Sequence, residues 1–303
     1  MKKVLVLVAA MMAAVCSAKA EVSFAYDAGA DIVSSYLWRG QYLGGLSFQP
    51  NLAVGYDGEK SSLRIGAWGN VGASDYMFKK GLANYIDADG EEVNPNTRFV
   101  PEVDIVGQFS ALGLSVGFNH YYYCDGSNFF SWKQADLFDE NGEVKTTTTT
   151  EVWAGYNFGY FFGNKAGAYF NWYTTVAGGD FNYDEATDTY KRAYSSYMEV
   201  GYEMCFENVG ITIGAQVGMS PWKSENTYGN EKFAVVNVSA KINKEWELDK
   251  VTIDLYAQGS INPNGLVTDK NDPNYNLLLL KAAGDDKIGM QKLNGTIGLG
   301  FWF

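Results

Sequence analysis

The chain has 303 residues, and its 35 acidic and 23 basic side chains give a formal net charge of −12. This balance excludes a protein that binds nucleic acid through phosphate contacts, which needs the opposite charge. Hydrophobic residues make up 47% of the chain, yet after residue 20 no apolar run reaches the roughly 18 residues of a membrane-spanning helix. Tyr, Phe, Trp and Gly are abundant, whereas Pro is scarce.

Residues 1–20 have the layout of a secretory signal peptide. Two lysines precede an uncharged apolar run, Val4–Val15, and Ala18-Lys19-Ala20 supplies the small-x-small pattern of a cleavage site. The run is too short for a membrane anchor, which needs about 20 residues. We therefore expect cleavage of residues 1–20, export, and one mature domain over residues 21–303.

The cysteines add one alternative and one expectation. Lipidation at Cys16 would make the chain a lipoprotein, but Val15 stands where a small residue normally precedes a lipidated cysteine. Two cysteines remain after cleavage, Cys124 and Cys205. The predicted strands place them at opposite ends of the fold, so we expect no disulfide between them.

The segment Val22–Gly40 shows a clear two-residue period. Its even-numbered positions are mostly apolar or aromatic, whereas Asp27, Asp31 and Arg39 occupy odd-numbered positions. A strand sends alternate side chains to opposite faces, so the pattern predicts one long strand with an apolar and a polar face. Tyr36 and Trp38 fall on the apolar face near the strand end, where aromatic rings of membrane barrels meet the interface.

The same alternation recurs along the whole chain. The predicted strands are 22–40, 46–56, 63–71, 99–109, 114–123, 148–158, 166–176, 194–206, 211–220, 233–243, 251–261 and 290–303. Every second connection is short and the others are mostly long, as in bacterial outer-membrane barrels with short periplasmic turns and long external loops. We predict an all-β fold, a transmembrane antiparallel up-and-down barrel of about twelve strands with both termini periplasmic. A soluble barrel or sandwich would show the same alternation with its apolar face inside.

Two short segments resemble known outer-membrane proteins. Leu299-Gly300-Phe301-Trp302-Phe303 resembles the C-terminal signal that the barrel-assembly machinery reads, which implies that this machinery is a partner through Phe303. Ser35-Tyr36-Leu37-Trp38-Arg39-Gly40, followed by Gln49-Pro50, resembles the opening of a family of small, uncharacterised outer-membrane proteins with an aromatic-Arg-Gly step after the first strand. Both resemblances imply the outer membrane of a Gram-negative cell, and neither implies an activity or a ligand.

The polar strand faces predict the lining of the lumen. The charged candidates are Asp27, Asp31, Arg39, Asp57, Arg64, Glu102, Asp104, Glu151, Glu199, Glu203 and Asp254. Further bases on these faces are Arg98, Lys191, Lys241 and Lys292. The aromatic candidates are Trp68, Tyr121, Trp153, Tyr169, Tyr173, Tyr197 and Tyr256. Two interpretations stay open: a narrow passive channel for small hydrophilic solutes with a cation bias, and a structural or surface-interaction barrel with a filled lumen.

An enzyme is the third class of function. Outer-membrane lipid hydrolases pair a lipid-facing His with a Ser, and His120, the single histidine, falls on a lipid-facing position. No serine motif of those enzymes accompanies it, so we expect an interfacial His and no enzymatic activity. The one His and two separated Cys predict no metal site, and no motif calls for a cofactor.

The expected partners are outer-membrane lipid and lipopolysaccharide, a small hydrophilic solute of unknown identity, and no nucleic acid. The acidic loop segments 87–92 and 139–142 lack the ligand spacing of an EF-hand and indicate solvated loops. Leu277–Leu280 falls in a predicted external loop. It either forms a short helix in the mouth of the barrel or extends the final strand.

Overall fold

The computed structural model describes residues 23–72, 85–86, 92–93, 101–124, 128–130, 132, 148–162, 167–184, 186–263 and 293–303. The expectations for the signal segment 1–20, the acidic segment 139–142 and Leu277–Leu280 lie outside these residues, as do residues 87–91 of the other acidic segment, Arg98 and Lys292. In the described part of the chain, every helix is too short or too polar to cross a membrane.

Strands dominate the described residues. In chain order they are β1 Ser23–Val33, β2 Tyr36–Trp38, β3 Gln41–Gly44, β4 Ser47–Asp57, β5 Ser61–Gly72, β6 Tyr85–Ile86, β7 Glu92–Val93, β8 Glu102–Ala111, β9 Leu114–Tyr123, β10 Thr149–Asn157, β11 Ala168–Gly178, β12 Phe181–Asp184, β13 Thr189–Arg192, β14 Ser196–Phe206, β15 Ile211–Ser220, β16 Ala234–Leu248, β17 Val251–Ile261 and β18 Leu293–Trp302. The short helices are α1 Gly159–Phe162, α2 Glu225–Tyr228 and the 3₁₀ turn Glu207–Val209.

Twelve of these strands form a closed antiparallel barrel in the order β1-β18-β17-β16-β15-β14-β11-β10-β9-β8-β5-β4. The barrel closes because β1 pairs with β4 along one edge and with β18 along the other. Beyond β18, the Phe303 N–H donates to the Ala28 carbonyl at 2.8 Å and extends this pairing. The predicted all-β fold with twelve barrel strands is confirmed.

The two ends of the barrel differ in their connections. At the end where β1 begins and β18 ends, here called the terminus end, β8 joins β9 through Leu112 and Gly113, whose φ values are 54° and 82°. Two successive left-handed residues make the two-residue turn that fits twisted antiparallel strands. At the opposite end, here called the long-loop end, the connections span residues 34–46, 73–101, 124–148, 179–195, 221–233 and 262–292. Cys124 lies at the long-loop end and Cys205 near the terminus end, as expected.

Burial distinguishes the two faces of the wall. Outward-facing Phe24 and Leu52 are 75% and 58% exposed, whereas inward-facing Glu102 and Asn237 are 2% and 0% exposed. A soluble barrel would bury the apolar face instead. This pattern is the one expected of a barrel surrounded by hydrocarbon. Such a barrel satisfies every backbone hydrogen bond within its closed sheet and presents apolar side chains to the lipid.

The first strand is shorter than predicted. β1 ends at Val33, because the Ser34 N–H donates to the Ile297 carbonyl and the Ile297 N–H donates to Ser34 Oγ, each at 2.8 Å. From there the chain turns inward and forms the separate two-stranded sheet β2–β3. The lipid-facing positions predicted for Tyr36 and Trp38 were wrong, since both rings lie inside the barrel.

A second prediction also fails for a local reason. Lys191 lies not on a wall strand but on β13, which pairs with β12 in a hairpin at the long-loop end. Its ammonium pairs with the Asp184 carboxylate, and its side chain is 64% exposed. This hairpin lies in the connection before the predicted strand 194–206, so Lys191 belongs to that connection and not to a polar face of the wall.

Candidate functional site: a hairpin plug in the lumen

The hairpin β2–β3 carries Arg39 and Gly40 at its tip, with φ values of 49° and 81°. Two left-handed residues in succession are the signature of a type I′ hairpin turn. Gly40 is also fixed by the wall, because a Cβ there would lie 2.7 Å from Asn237 Oδ1 and 2.9 Å from Ser260 Oγ. The Arg-Gly step that the sequence placed after the first strand is therefore the tip of an inward-folded hairpin, here called the plug hairpin (Tyr36–Gly44).

Arg39 makes the central contact of the plug hairpin. Its two terminal nitrogens donate to the two carboxylate oxygens of Glu151, each at 2.7 Å. One of them also donates to the Tyr228 hydroxyl at 2.7 Å. The side chains of Arg39 and Glu151 are only 9% and 3% exposed. This is a bidentate ion pair, the geometry that suits guanidinium and carboxylate best.

Aromatic rings surround the guanidinium. Arg39 Cζ lies 4.2 Å from the ring centroid of Tyr173, 4.6 Å from that of Trp38 and 4.7 Å from that of Tyr197. Trp38 in turn stacks on Tyr228, with an interplanar angle of 5° and centroids 5.9 Å apart. Cation–π attraction therefore adds to the ion pair in a site from which water is largely excluded.

The wall holds the acceptor of this pair in place. Asn119 Nδ2 and the Tyr121 hydroxyl both donate to Glu151 Oε1, at 3.0 and 3.1 Å. Tyr197 is held as well, because its hydroxyl accepts a hydrogen bond from Asn237 Nδ2 at 3.0 Å. All of these residues lie on wall strands, so the arrangement does not depend on the plug hairpin.

The plug hairpin crosses the lumen. Besides β10, β11 and β14, it contacts β5 through Tyr36 and Trp68, whose ring centroids are 5.4 Å apart. It contacts β18 through Asn294, which donates to the Gly40 carbonyl at 2.8 Å. Gln41 donates to the Thr227 carbonyl in α2 at 2.8 Å. These contacts show that the plug hairpin spans the barrel near its long-loop end.

The lumen near the terminus end has a different character. Arg64 Nε donates to Asp27 at 2.7 Å, and its terminal nitrogens donate to Asp57 at 2.9 Å. Both carboxylates are 48% exposed and Arg64 is 24% exposed. Three predicted lumen residues thus form one ion cluster, and their exposure shows that water reaches the interior here.

The other predicted charges divide between these two regions. Asn171 Nδ2 donates to Glu199 at 2.9 Å, and Lys241 Nζ lies 4.2 Å from the ring centroid of Tyr256. The remaining candidates are buried Glu102 and Asp104 near the long-loop end, half-buried Asp31 and Asp254, and exposed Glu203. Within the described ranges, no group of three or more His, Cys, Asp or Glu residues is placed to hold a metal ion.

Several predicted lumen aromatics lie flat against the wall. Each covers a glycine of a neighbouring strand, where an added Cβ would come within 2.6 Å of the ring. The pairs are Trp153 over Gly117, Tyr169 over Gly201, Tyr197 over Gly218 and Tyr256 over Gly298. Any larger residue at these glycines would push the ring toward the axis, so the glycines preserve the width of the lumen.

Sequence reasoning missed two parts of the site. Tyr228 lies in α2, within a loop, where strand alternation gives no signal. Trp38 was assigned to the lipid-facing side, although the Arg-Gly dipeptide that follows it is a turn signal when both residues are left-handed. Recognition of that turn would have ended the wall strand earlier.

His120 faces outward, as predicted, but it is 2% exposed. Its Nδ1 lies 2.8 Å from Thr150 Oγ1 and its Nε2 lies 2.7 Å from the Phe129 carbonyl oxygen. The rings of Phe129 and Phe130 pack against it with centroids at 4.9 Å, and Trp132 Nε1 donates to Thr150 Oγ1 at 3.0 Å. Nε2 therefore ties the segment after β9 to the outer wall, while Nδ1 bonds to the neighbouring wall strand β10.

The chain matches no protein-family model and no curated protein sequence. Among solved structures, a chain from work on the in-meso crystallization of membrane proteins is 8% identical, with a TM-score of 0.41 over 92% of this chain and 83% of that one. OmpF of Salmonella typhi in complex with daunomycin is 11% identical, with a TM-score of 0.37 over 94% and 98%. A BenF-like porin from Pseudomonas fluorescens Pf-5 is 7% identical, with a TM-score of 0.25 over 93% and 98%. These values carry no argument about function, and the barrel assignment rests on the strand pairing of this chain.

Proposed function

We propose that this protein is an outer-membrane channel for small hydrophilic solutes, closed at rest by the plug hairpin. The observation that supports it is the division of the lumen. Half-exposed charges such as Asp27 and Asp57 line a water-accessible part near the terminus end, and the plug hairpin ends that part at the Arg39–Glu151 pair. Water already reaches the plug hairpin from the terminus end, so movement of the hairpin out of the lumen opens a continuous water-filled path through the barrel.

The way the plug hairpin is attached supports its movement. β2 and β3 form their own sheet, and the barrel closes without them through the pairing of β1 with β18 and β4. Side-chain contacts, rather than a backbone ladder with the wall, hold the tip. The hairpin is thus able to leave the lumen while every backbone hydrogen bond that the hydrocarbon region demands stays formed.

The cellular setting follows from the same features. The apolar outer surface suits outer-membrane lipid and lipopolysaccharide, and the short turns favour a periplasmic location for the terminus end. The proposal also includes two steps of export: signal peptidase removes residues 1–20, and the barrel-assembly machinery recognises Phe303. Because the ring nitrogens of His120 are both engaged by Thr150 and Phe129, a hydrolase is not part of it.

A second candidate is a structural or surface-interaction barrel whose lumen stays filled. The contacts of the plug hairpin with strands around the whole circumference favour it, as does the burial of Tyr197 and Tyr228 at 0% and 1% exposure. In this case the hairpin is a permanent core. Transport is absent, and the long loops carry the function.

Planar-bilayer recordings separate the two candidates. We expect rare, brief openings of the refolded protein, and persistent openings when residues 36–44 are replaced by a short Gly-Ser linker. The matched control replaces residues 186–190, the exposed tip of the β12–β13 hairpin at the same end, and should behave like the unchanged protein. A folded barrel without residues 36–44 that shows no conductance steps would remove the channel and leave the filled barrel.

A further inference from the structure

The wall that receives Arg39 has the composition of a binding site. Glu151 on β10, Tyr173 on β11 and Tyr197 on β14 face the guanidinium, and Tyr228 accepts a hydrogen bond from it. We infer that these four residues, here called the guanidinium site, bind the guanidinium group of a solute, and that Arg39 occupies the site as a tethered ligand. The inference rests on the proposed function in one respect: a solute that displaces Arg39 also frees the lumen.

The geometry specifies the chemical class of the solute. Two parallel hydrogen bonds of 2.7 Å to one carboxylate need the planar fork of a guanidinium, which an ammonium does not offer. The rings of Tyr173 and Tyr197 lie over this plane. A neutral urea group of the same shape would leave the 3%-exposed Glu151 carboxylate without a counter-charge. Arginine and peptides that carry an arginine are therefore the fitting solutes.

Three of the four residues of the guanidinium site lie on wall strands, whereas Tyr228 lies in α2, where its ring stacks on Trp38 of the plug hairpin. Asn119 and Tyr121 hold Glu151, and Asn237 holds Tyr197, all through wall side chains. A site that keeps its shape when its first occupant leaves is able to take a second one, because little ordering is needed on binding.

The tether sets the concentration range for competition. A short tether gives an effective concentration on the order of millimolar. The left-handed backbone of Arg39, a non-glycine residue at φ 49°, further weakens the tethered ligand relative to a free one. A free guanidinium solute at millimolar concentration is therefore expected to compete with Arg39, and the half-exposed acids near the terminus end favour its entry.

Calorimetric titration with L-arginine tests the inference on the refolded full chain in detergent. The Arg39→Ala variant should bind one L-arginine per barrel, with a Kd on the order of millimolar or below. The double variant Arg39→Ala, Glu151→Gln should show no binding. L-citrulline, the uncharged isostere, should not bind, and L-lysine should bind at least about tenfold more weakly. Equal binding of citrulline and arginine, or equal binding by both variants, would overturn the inference.

Two further variants complete the test. If Arg39→Ala does not fold, the chain with residues 36–44 replaced by a linker offers the same vacant site for titration. Arg64→Ala is the matched control, because it leaves Asp27 and Asp57 free but half exposed. It should gain no arginine binding, and a gain equal to that of Arg39→Ala would refute a role for the aromatic rings. The binding measurement does not depend on conduction, so the two proposals can fail separately. Arginine binding by a barrel that never conducts refutes the proposed channel alone. A conducting barrel that does not bind arginine refutes this inference alone.

Discussion

The substitution Glu151→Gln tests the closure of the lumen most directly. In the closed state it leaves the Arg39 guanidinium buried, 9% exposed, beside a neutral amide that offers one acceptor where two stood before. In an open state both side chains are hydrated and the substitution changes little. The variant therefore loses stability in the closed state alone, which shifts the balance toward the open state.

The size of the shift follows from the cost of a broken buried pair. Removal of one partner from such a pair costs about 3–5 kcal/mol. The remaining acceptor of Gln places the cost near the lower end, which corresponds to about a hundredfold rise in the ratio of open to closed barrels. Single-channel recording in planar bilayers measures this ratio as the open probability.

Glu199→Gln is the matched control for Glu151→Gln. Glu199 also faces the lumen, but its hydrogen bond comes from Asn171 on the neighbouring strand and not from the plug hairpin. It should leave the open probability unchanged. An open probability of folded Glu151→Gln within about threefold of the unchanged protein would refute the view that this ion pair holds the lumen closed.

Three further predictions concern other parts of the barrel. Gly40→Ala places a Cβ 2.7 Å from Asn237 Oδ1 in a left-handed turn, so it should weaken the plug by about 1–2 kcal/mol and raise the open probability about tenfold. Glu203→Gln removes an exposed lumen carboxylate near the terminus end, so the cation preference, measured as the reversal potential in a salt gradient, should fall. Burial raises the pKa of Asp180, in the loop after β11, above its ordinary value of 3.8. Folding therefore favours the neutral form of Asp180, and the stability that this form contributes is lost as the pH rises through the folded-state pKa. Asp180→Asn keeps the side chain neutral at every pH, so it should raise the unfolding temperature more at pH 7 than at pH 4.

The sequence by itself determined the wall of this protein. The two-residue period fixed which side chains face outward, and the outward exposure of Phe24 and Leu52 confirms it. Short connections such as residues 110–113 indicated that consecutive strands are antiparallel neighbours, and the structure narrows this one to the two-residue turn Leu112-Gly113. Both signals are local, since period and turn type depend on residues within a few positions of each other.

The tertiary structure alone decided what fills the lumen. Residues 34–44 alternate like the wall, and only the pairing of Ser34 with Ile297, 263 positions away, shows where the wall strand ends. Arg39 lies inside the barrel, but its partner Glu151 lies 112 positions along the chain and Tyr228 lies 189 positions along it. No spacing rule links such residues. Arg39, Glu151 and Tyr228 meet because barrel closure brings distant strands around one axis. The Arg39 guanidinium then supplies the counter-charge for the Glu151 carboxylate that is buried inside the barrel.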